Sequence, residues 1–407
     1  MKSSLQAMKV LYLHPASAFG GASKSLVELY RAFPENSVKA TVVCPSGQAA
    51  EQFRIAGMEV VECAGLAQWD NTRFGHYRGK RWLVLMREWL LWIPTVLTLL
   101  RVARSGQYDL IHANEITLLP AAVLARKIMH LPLVVHVRSL QRMPGSGRIT
   151  DWINRMLSTA QVVIAIDRTV ARTLPAELNV EVIHNGIKVP ENVERNAETD
   201  GVLHVAMVGG LLRMKGVYEF VEAARLCRDR GLSVRFLLAG ENPRNLKGLM
   251  KWLVEWTDLA HDVRSDLEAY VARNDLGEFV ELLGFVREVG ALYRKIDLLC
   301  FPSHLDAAGR PVFEAAFYGV PSLVAADTPE PDTIVDGETG LCIPPRNPQA
   351  IADAVELLAN RRDELRRMGQ NARKLAMEHF DIERNAQKVL DLYRHQAGLQ
   401  EQDSGNG

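Results

Sequence analysis

"LHVAMVGGLLRMKGVYEFVEAA", residues 203–224, decides the fold. Its first six residues form a short apolar run of strand length. Gly209 and Gly210 then open a loop. From Val217 the apolar residues recur at helical spacing as far as Cys227. The same unit stands at the start of the chain. Residues 8–13 read as a strand, Gly20 and Gly21 lie in the loop, and a helix follows with Leu26, Leu29, Tyr30 and Phe33 on one face. A strand, a glycine loop and a helix that occur twice predict two similar doubly wound halves.

The rest of the chain fits that plan. Further strands are expected at 39–43, 110–112, 133–137 and 162–166, and in the second half at 234–239, 280–283, 298–301 and 322–325. Strands alternating with helix-period segments predict an α/β fold with parallel sheets. Between the halves, "VEVIHNGIKVPENVERNAETDGV" (180–202) reads as a linker centred near residue 195, because it combines Asn-Gly, Pro and a polar run. Residues 245–273 are charged, contain tryptophan and follow a mostly helical pattern, and the chain from 350 onward is helical. The expected divisions are 1–193, 194–378, a helix at 379–396 that packs back on the first domain, and a disordered tail at 397–407.

Bulk properties bound the function. A chain of 407 residues exceeds one ordinary core, which supports two domains. The formal net charge is zero, so composition gives no support to nucleic-acid binding. The five cysteines are scattered without a CxxC or Cys/His metal spacing, as expected of reduced thiols in a cytoplasmic protein. The first residues carry no long apolar signal core. Residues 82–100, "WLVLMREWLLWIPTVLTLL", are interrupted by Arg87, Glu88 and Pro94 and are too short for a span. They read as a buried helix. The alternative is an interfacial helix that touches a membrane surface, because Arg73, Arg78, Lys80 and Arg81 precede it and three tryptophans lie within it.

"DAAGRPVFEAAFYGVP" (306–321) carries the chemistry. Pro311 suits a first helical turn, and Gly319 with Pro321 suits a helix end. Asp306 then lies in the loop before the helix, and Glu314 about one turn inside it. Backbone N–H groups around Gly309, Arg310 and Val312 would face a phosphate, with Gly309 allowing close approach. The two carboxylates would accept hydrogen bonds from sugar hydroxyls. Phosphate and hydroxyls together would describe a ligand such as a nucleotide sugar; the alternative is an ordinary capped helix with surface acids.

This stretch resembles the Glu-x7-Glu region of retaining glycosyltransferases with the GT-B fold, of the large family 4 type. "FGGASKSLVELYRAF", "YDLIHANE", "LPLVVHVRSL", "VEVIHNGI", "VAMVGGLLRMKGVYEFVEAA", "VELLGFVREVGALYRKIDLLCFPS" and "PDTIVDGETGLCIP" resemble the other family segments, in the family's order. The resemblance covers about residues 8–393. Each motif is modest alone and specific in combination.

The resemblance implies roles. Glu314 would bind the nucleotide ribose, and Asp306, one methylene shorter than the usual Glu, would touch the donor sugar. Ala308, Gly309 and Arg310 would face the donor through their backbone, and Phe285 and Val286 would lie beside the base. Lys215 matches the lysine that neutralises the departing diphosphate. Gly210 stands where an arginine is usual, beside Gly209, with Arg213 as the substitute cation. Charge developing on a leaving diphosphate calls for positioned cations. Arg138 takes the place of a histidine near the reacting carbon, with His136 on the same side of its strand and His112 as a further candidate. Gly20 and Gly21 would approach the donor phosphate or the acceptor. Asp332 falls where many relatives have Glu. No Asp-x-Asp pair occurs, so no metal or other cofactor is expected.

The expected function is transfer of a sugar from a donor such as a UDP- or GDP-sugar to a hydroxyl of a glycan or lipid-linked acceptor, with retention. The setting would be bacterial-type cell-surface polysaccharide or glycolipid assembly. The protein would be cytoplasmic, with a membrane surface engaged through residues 73–100. One rival is a nucleotide-sugar-binding or scaffold protein without turnover, motivated by Gly210, Arg138 and Asp306. Another is an epimerase or phosphorylase on the same fold.

Overall fold

The computed structural model describes residues 7–73, 82–194, 201–242, 262–305 and 307–398, with backbone alone at 82–85. It divides into two compact units, Met1–Lys188 with His379–Gly407, and Val189–Glu378.

The first unit holds strands β1 (Met8–Leu13), β2 (Val38–Pro45), β3 (Glu59–Cys63), β4 (Leu110–Ala113), β5 (Leu133–Val137), β6 (Val162–Ala165) and β7 (Val180–Val182). Its helices are α1 (Gly21–Ala32), α2 (Gln48–Ile55), α3 (Trp82–Ser105), α4 (Leu119–Met129), α5 (Arg148–Leu157) and α6 (Arg168–Ala171). The sheet is parallel in the order β3-β2-β1-β4-β5-β6-β7. Successive residues of β1 serve opposite faces. Val10 and Tyr12 join α1 and α2 in one core, and Leu11 and Leu13 join α3, α4 and α5 in the other. Both faces of the central strands are covered, which is why they read as near-continuous apolar runs.

The second unit holds β8 (Leu203–Val208), β9 (Val234–Ala239), β10 (Val280–Gly284), β11 (Leu298–Phe301), β12 (Ser322–Ala325) and β13 (Gly340–Ile343). Its helices are α7 (Val217–Asp229), α8 (Val263–Arg273), α9 (Val289–Tyr293), α10 (Arg310–Phe317), α11 (Pro348–Asn360) and most of α12 (Arg362–His379). The order is β10-β9-β8-β11-β12-β13, again parallel. One core packs α7, α8 and α11 on the sheet, and the other packs α9 and α10. Helix starts are fixed locally. Asp262 and Asn347 accept from the backbone N–H three residues on, at Ser265 and Ala350.

The last helix, α13 (Ile382–Gln396), belongs to the first unit, where Ala386, Val389, Leu390 and Tyr393 enter the core beside α1. Its start is locked on residues 184–187. Ile187 N–H donates to Phe380 O (2.7 Å), and Asn385 Nδ2 donates to His184 O (3.1 Å). A Cβ on Gly186 would lie 2.5 Å from Ile382 Cα, so only glycine fits there.

Three expectations are corrected. Residues 180–187 are not linker: 180–182 form β7, and Ile183, His184 and Ile187 are buried. Strands β3 and β13 are additional to the sequence reading, and both lie at sheet edges. Residues 82–100 are not a buried helix. They form most of α3, continuous through Pro94, with Trp89, Leu90 and Ile93 between 63% and 72% exposed. Most of 245–273, the centre of the expected linker, Asp306 and the tail from 399 lie outside the described residues.

Candidate active site

In a doubly wound sheet, ligands bind outside the carboxyl ends of the strands, where the strand order reverses. In the second unit that point lies between β8 and β11. After β8, Gly209 turns the chain at φ 152° and Arg213–Lys215 form one 3₁₀ turn, closed by Gly216 at φ 79°. A Cβ on Gly216 would lie 2.0 Å from Pro302 O, so the loops after β8 and β11 meet backbone to backbone. His304 N–H donates to Met214 O (3.0 Å) and ties them a second time.

That interlock gathers two predicted residues, Lys215 and Gly309, around Phe301. Lys215 Nζ sits 5.4 Å from the centre of the Phe301 ring at the end of β11. A Cβ on Gly309 would come within 2.5 Å of the same ring. Burial lowers the Lys215 pKa, and among the described residues no carboxylate pairs with it. A half-buried cation of this kind gains most by meeting an anion. Arg213 goes elsewhere: it is exposed, and its guanidinium lies 5.2 Å from the centre of the Tyr218 ring on α7. Gly210 is exposed, and among the described residues a Cβ there would meet nothing nearer than Glu241 O at 3.9 Å. Packing therefore does not dictate the missing arginine.

Helix α10 starts at Gly309 without a side-chain cap. The Val312 N–H is spent on Gly309 O (2.9 Å), so it does not face a ligand as expected. Glu314 is half-buried and already engaged. Arg310 Nε donates to one oxygen (2.7 Å) and Tyr293 OH to the other (3.1 Å). Burial raises the Tyr293 pKa, so its hydroxyl stays a donor. A carboxylate has about four acceptor positions, which leaves room for further donors. Ala308 and Val286 pack partly against the core, whereas Phe285 stands 73% exposed after Gly284. Asp332 is buried in the loop after β12.

In the first unit the reversal lies between β1 and β4. There the residues that follow the strands form a buried polar cluster. Asn114 Nδ2 donates to His14 Nδ1 (2.9 Å), which makes His14 Nε2 the donor to Ser23 Oγ (2.9 Å) on α1. Arg138 binds Asn114 twice, through Nε to its carbonyl (3.0 Å) and Nη2 to Oδ1 (2.8 Å), and also binds Asn185. Its Nη2 donates to His136 Nδ1 (3.2 Å). Arg138 and His136 therefore share one face of β5. His136 is buried and acts on Arg138. His112 is buried under α13, bonded through Nδ1 to Tyr393 OH (2.6 Å).

Burial, reinforced by the Arg138 charge, lowers the pKa of His14 and His112 to about 3 and takes His136 well down. Glu115, at the mouth of this cluster, goes the other way. Burial raises it to about 7 against the pull of Arg138. Gly20 caps α1 and Gly21 begins it; both are exposed, and a Cβ on either would meet nothing within 4 Å. His14, Asn114, Glu115 and Asn185 were not singled out in the sequence. The available signal was position: His14 and Asn114 directly follow the central strands β1 and β4, and Glu115 comes next.

Each unit thus carries a cluster of polar or charged residues at the strand ends of a doubly wound sheet, and comparison with known proteins gives the family. Residues 19–190 match Glycosyltransferase Family 4, and residues 189–375 match Glycosyl transferases group 1. The chain belongs to this family: it is a group 1 glycosyltransferase that transfers sugar from a nucleotide-sugar donor, and its fold is GT-B. It is 26% identical to the alpha-D-kanosaminyltransferase of Streptomyces kanamyceticus, over 67% of this chain and 72% of that one. It is 25% identical to the D-inositol 3-phosphate glycosyltransferase of Kribbella flavida, over 80% of each. Among solved structures, Anabaena HepE in complex with UDP superposes with a TM-score of 0.73 at 20% identity, over 95% of this chain and 100% of that one. Sucrose-phosphate synthase of Thermosynechococcus elongatus gives 0.69 at 16%, over 97% and 100%.

Proposed function

We propose that the chain is a retaining hexosyltransferase that takes a UDP- or GDP-sugar and glycosylates a hydroxyl of a glycan or lipid-linked acceptor. The setting is cell-surface polysaccharide or glycolipid assembly. The observation that carries this reading is the cluster of Lys215, Phe301 and Gly309 at the ends of β8 and β11, one turn from Glu314. The HepE structure holds UDP, which favours a uridine donor.

In this reading the diphosphate lies against Lys215 and the start of α10. Lys215 stabilises the charge that develops on the leaving group, and it is already partly desolvated, so little reorganisation is needed. Glu314 receives ribose hydroxyls while Arg310 and Tyr293 hold it in place. Asp306 binds hydroxyls of the sugar. The acceptor hydroxyl attacks on the face the nucleotide leaves, and a donor phosphate oxygen takes its proton. The acceptor side is built on the first unit, where Arg138 and Glu115 stand at the strand ends. Residues 73–100 engage a membrane surface that supplies the acceptor.

A nucleotide-sugar-binding protein without turnover is the second reading, favoured by the open position at Gly210. Product configuration tests the proposal. An α-linked donor is expected to give an α-linked product, read from the anomeric proton coupling. A β-linked product overturns retention, and nucleotide binding with no product favours the second reading.

A further inference from the structure

We propose that α3 and α5 of the first unit together form one continuous docking face for an anionic lipid bilayer. This rests on the membrane reading above and widens it from residues 73–100 to a second helix. Met86, Trp89, Leu90, Ile93 and Leu97 are all more than half exposed. Their spacing of three and four places them on one stripe of α3. Exposed apolar residues scattered singly need no explanation, but a stripe of this length marks an interaction surface.

The stripe does not end with its helix. Trp69 lies edge-on to Trp89, with ring centroids 5.9 Å apart, and edge-on to Trp152 of α5 at 5.4 Å. Ile149, one turn before Trp152 on α5, is 55% exposed, and Met143 in the loop before α5 is 57% exposed. Three tryptophans thus bridge the two helices, and tryptophan is the side chain favoured at a membrane–water boundary.

The charges commit the face to lipid. Arg101 and Arg104 are exposed at the end of α3, and Arg148 and Arg155 are exposed on α5. Glu88, the one acid in α3, is 1% exposed and paired with Arg87. A hollow of about 470 Å³ at the end of α3 has Leu97 and Leu100 as apolar lining and Arg101 and Arg104 as cations. That pairing suits a phosphate headgroup above its acyl chain. A second copy of this chain suits it less well, because its α3 would bring no free acid to meet these arginines: Glu88 is 1% exposed and paired with Arg87.

The test uses the full chain and sedimentation with two vesicle types: phosphatidylcholine alone, and phosphatidylcholine with phosphatidylglycerol at about 2:1. The chain is expected to bind the anionic vesicles, less so in high salt. Leu90→Glu on α3 and Ile149→Glu on α5 should each weaken binding about tenfold. Replacing both Arg101 and Arg104 by Ser should remove the preference for anionic lipid, an arm that leaves the apolar residues untouched. Binding lost in Leu90→Glu and unchanged in Ile149→Glu overturns the two-helix face while the membrane reading stands. No vesicle binding by the wild type sinks both. A dimer by light scattering that Leu90→Glu dissociates makes a second copy the occupant and overturns the proposal.

Discussion

Gly216→Ala is the substitution that should separate the site from the fold around it. Gly216 sits at φ 79°, where an L side chain costs about 1–2 kcal/mol. Its new Cβ would also stand 2.0 Å from Pro302 O, a backbone atom that cannot rotate away. Ordinary contact begins near 3.4 Å, so the two loops must part by more than 1 Å. Strain and displacement together should destabilise by about 3 kcal/mol. For a unit of this size that lowers Tm by roughly 6–12 °C. Because the loops that part carry Lys215 and Gly309, nucleotide affinity should fall by about tenfold, the equivalent of about 1.4 kcal/mol of lost contact. Gly231→Ala is the control, since Gly231 has φ 70° and nothing within 4 Å of its Cβ. It should lose about 1–2 kcal/mol and bind nucleotide normally. Calorimetric titration with UDP and GDP, together with thermal melts, reads both quantities. A Gly216→Ala protein that melts like Gly231→Ala and binds like wild type refutes the interlock.

Gly210→Arg should fold normally, since its Cβ meets nothing close, and should bind the nucleoside diphosphate about tenfold tighter at low salt; unchanged affinity places that position away from the phosphates. The buried histidines make the first unit acid-sensitive. Their contribution is complete above the unfolded value of about 6.5 and is lost as pH falls below it toward 3. Glu115 works in the opposite direction between its unfolded value and about 7, but one carboxyl faces three lowered histidines. Urea unfolding should therefore show stability falling by at least about 1.4 kcal/mol per pH unit from pH 6.5 to 5, and a flat profile contradicts the neutral assignments. The thiols should be inert in the native protein. Burial pushes Cys44, Cys227 and Cys342 up to about 12, and all but Cys342 are fully buried. A thiol reagent should reach Cys342 first and all five only after denaturation; rapid reaction of Cys44 or Cys227 overturns this.

The interior of each sheet was legible because its strands are covered on both sides and must be mostly apolar. β11 (LLCF) carries that imprint from end to end, and β1, β5, β8, β9 and β12 carry it with one polar residue each. The edges were not. β3 (EVVEC), β7 (VEV) and β13 (GLCI) each pair on one side only, so they are short and partly exposed and lack the signal. The 184–187 segment misled for a related reason. Its Asn and Gly look like a turn, yet they are there to bind Arg138 and to let α13 approach. Helix α3 was misjudged because mean apolarity cannot tell a buried face from an exposed one. In the site, Lys215, Gly309 and Glu314 were legible from motif spacing. The partners Phe301, Tyr293, His14 and Asn114 were not, because only the fold brings them near.

The most direct test of donor binding at the β8–β11 end is a thermal-shift panel of UDP, GDP, ADP and their sugars on wild type and Glu314→Ala. Saturation at 100 times the dissociation constant stabilises by about 2.7 kcal/mol, a rise of roughly 5–10 °C for a unit of this size. One nucleotide should raise the wild-type Tm by that amount and leave the variant unmoved. An equal shift in both proteins, or none in either, contradicts the site.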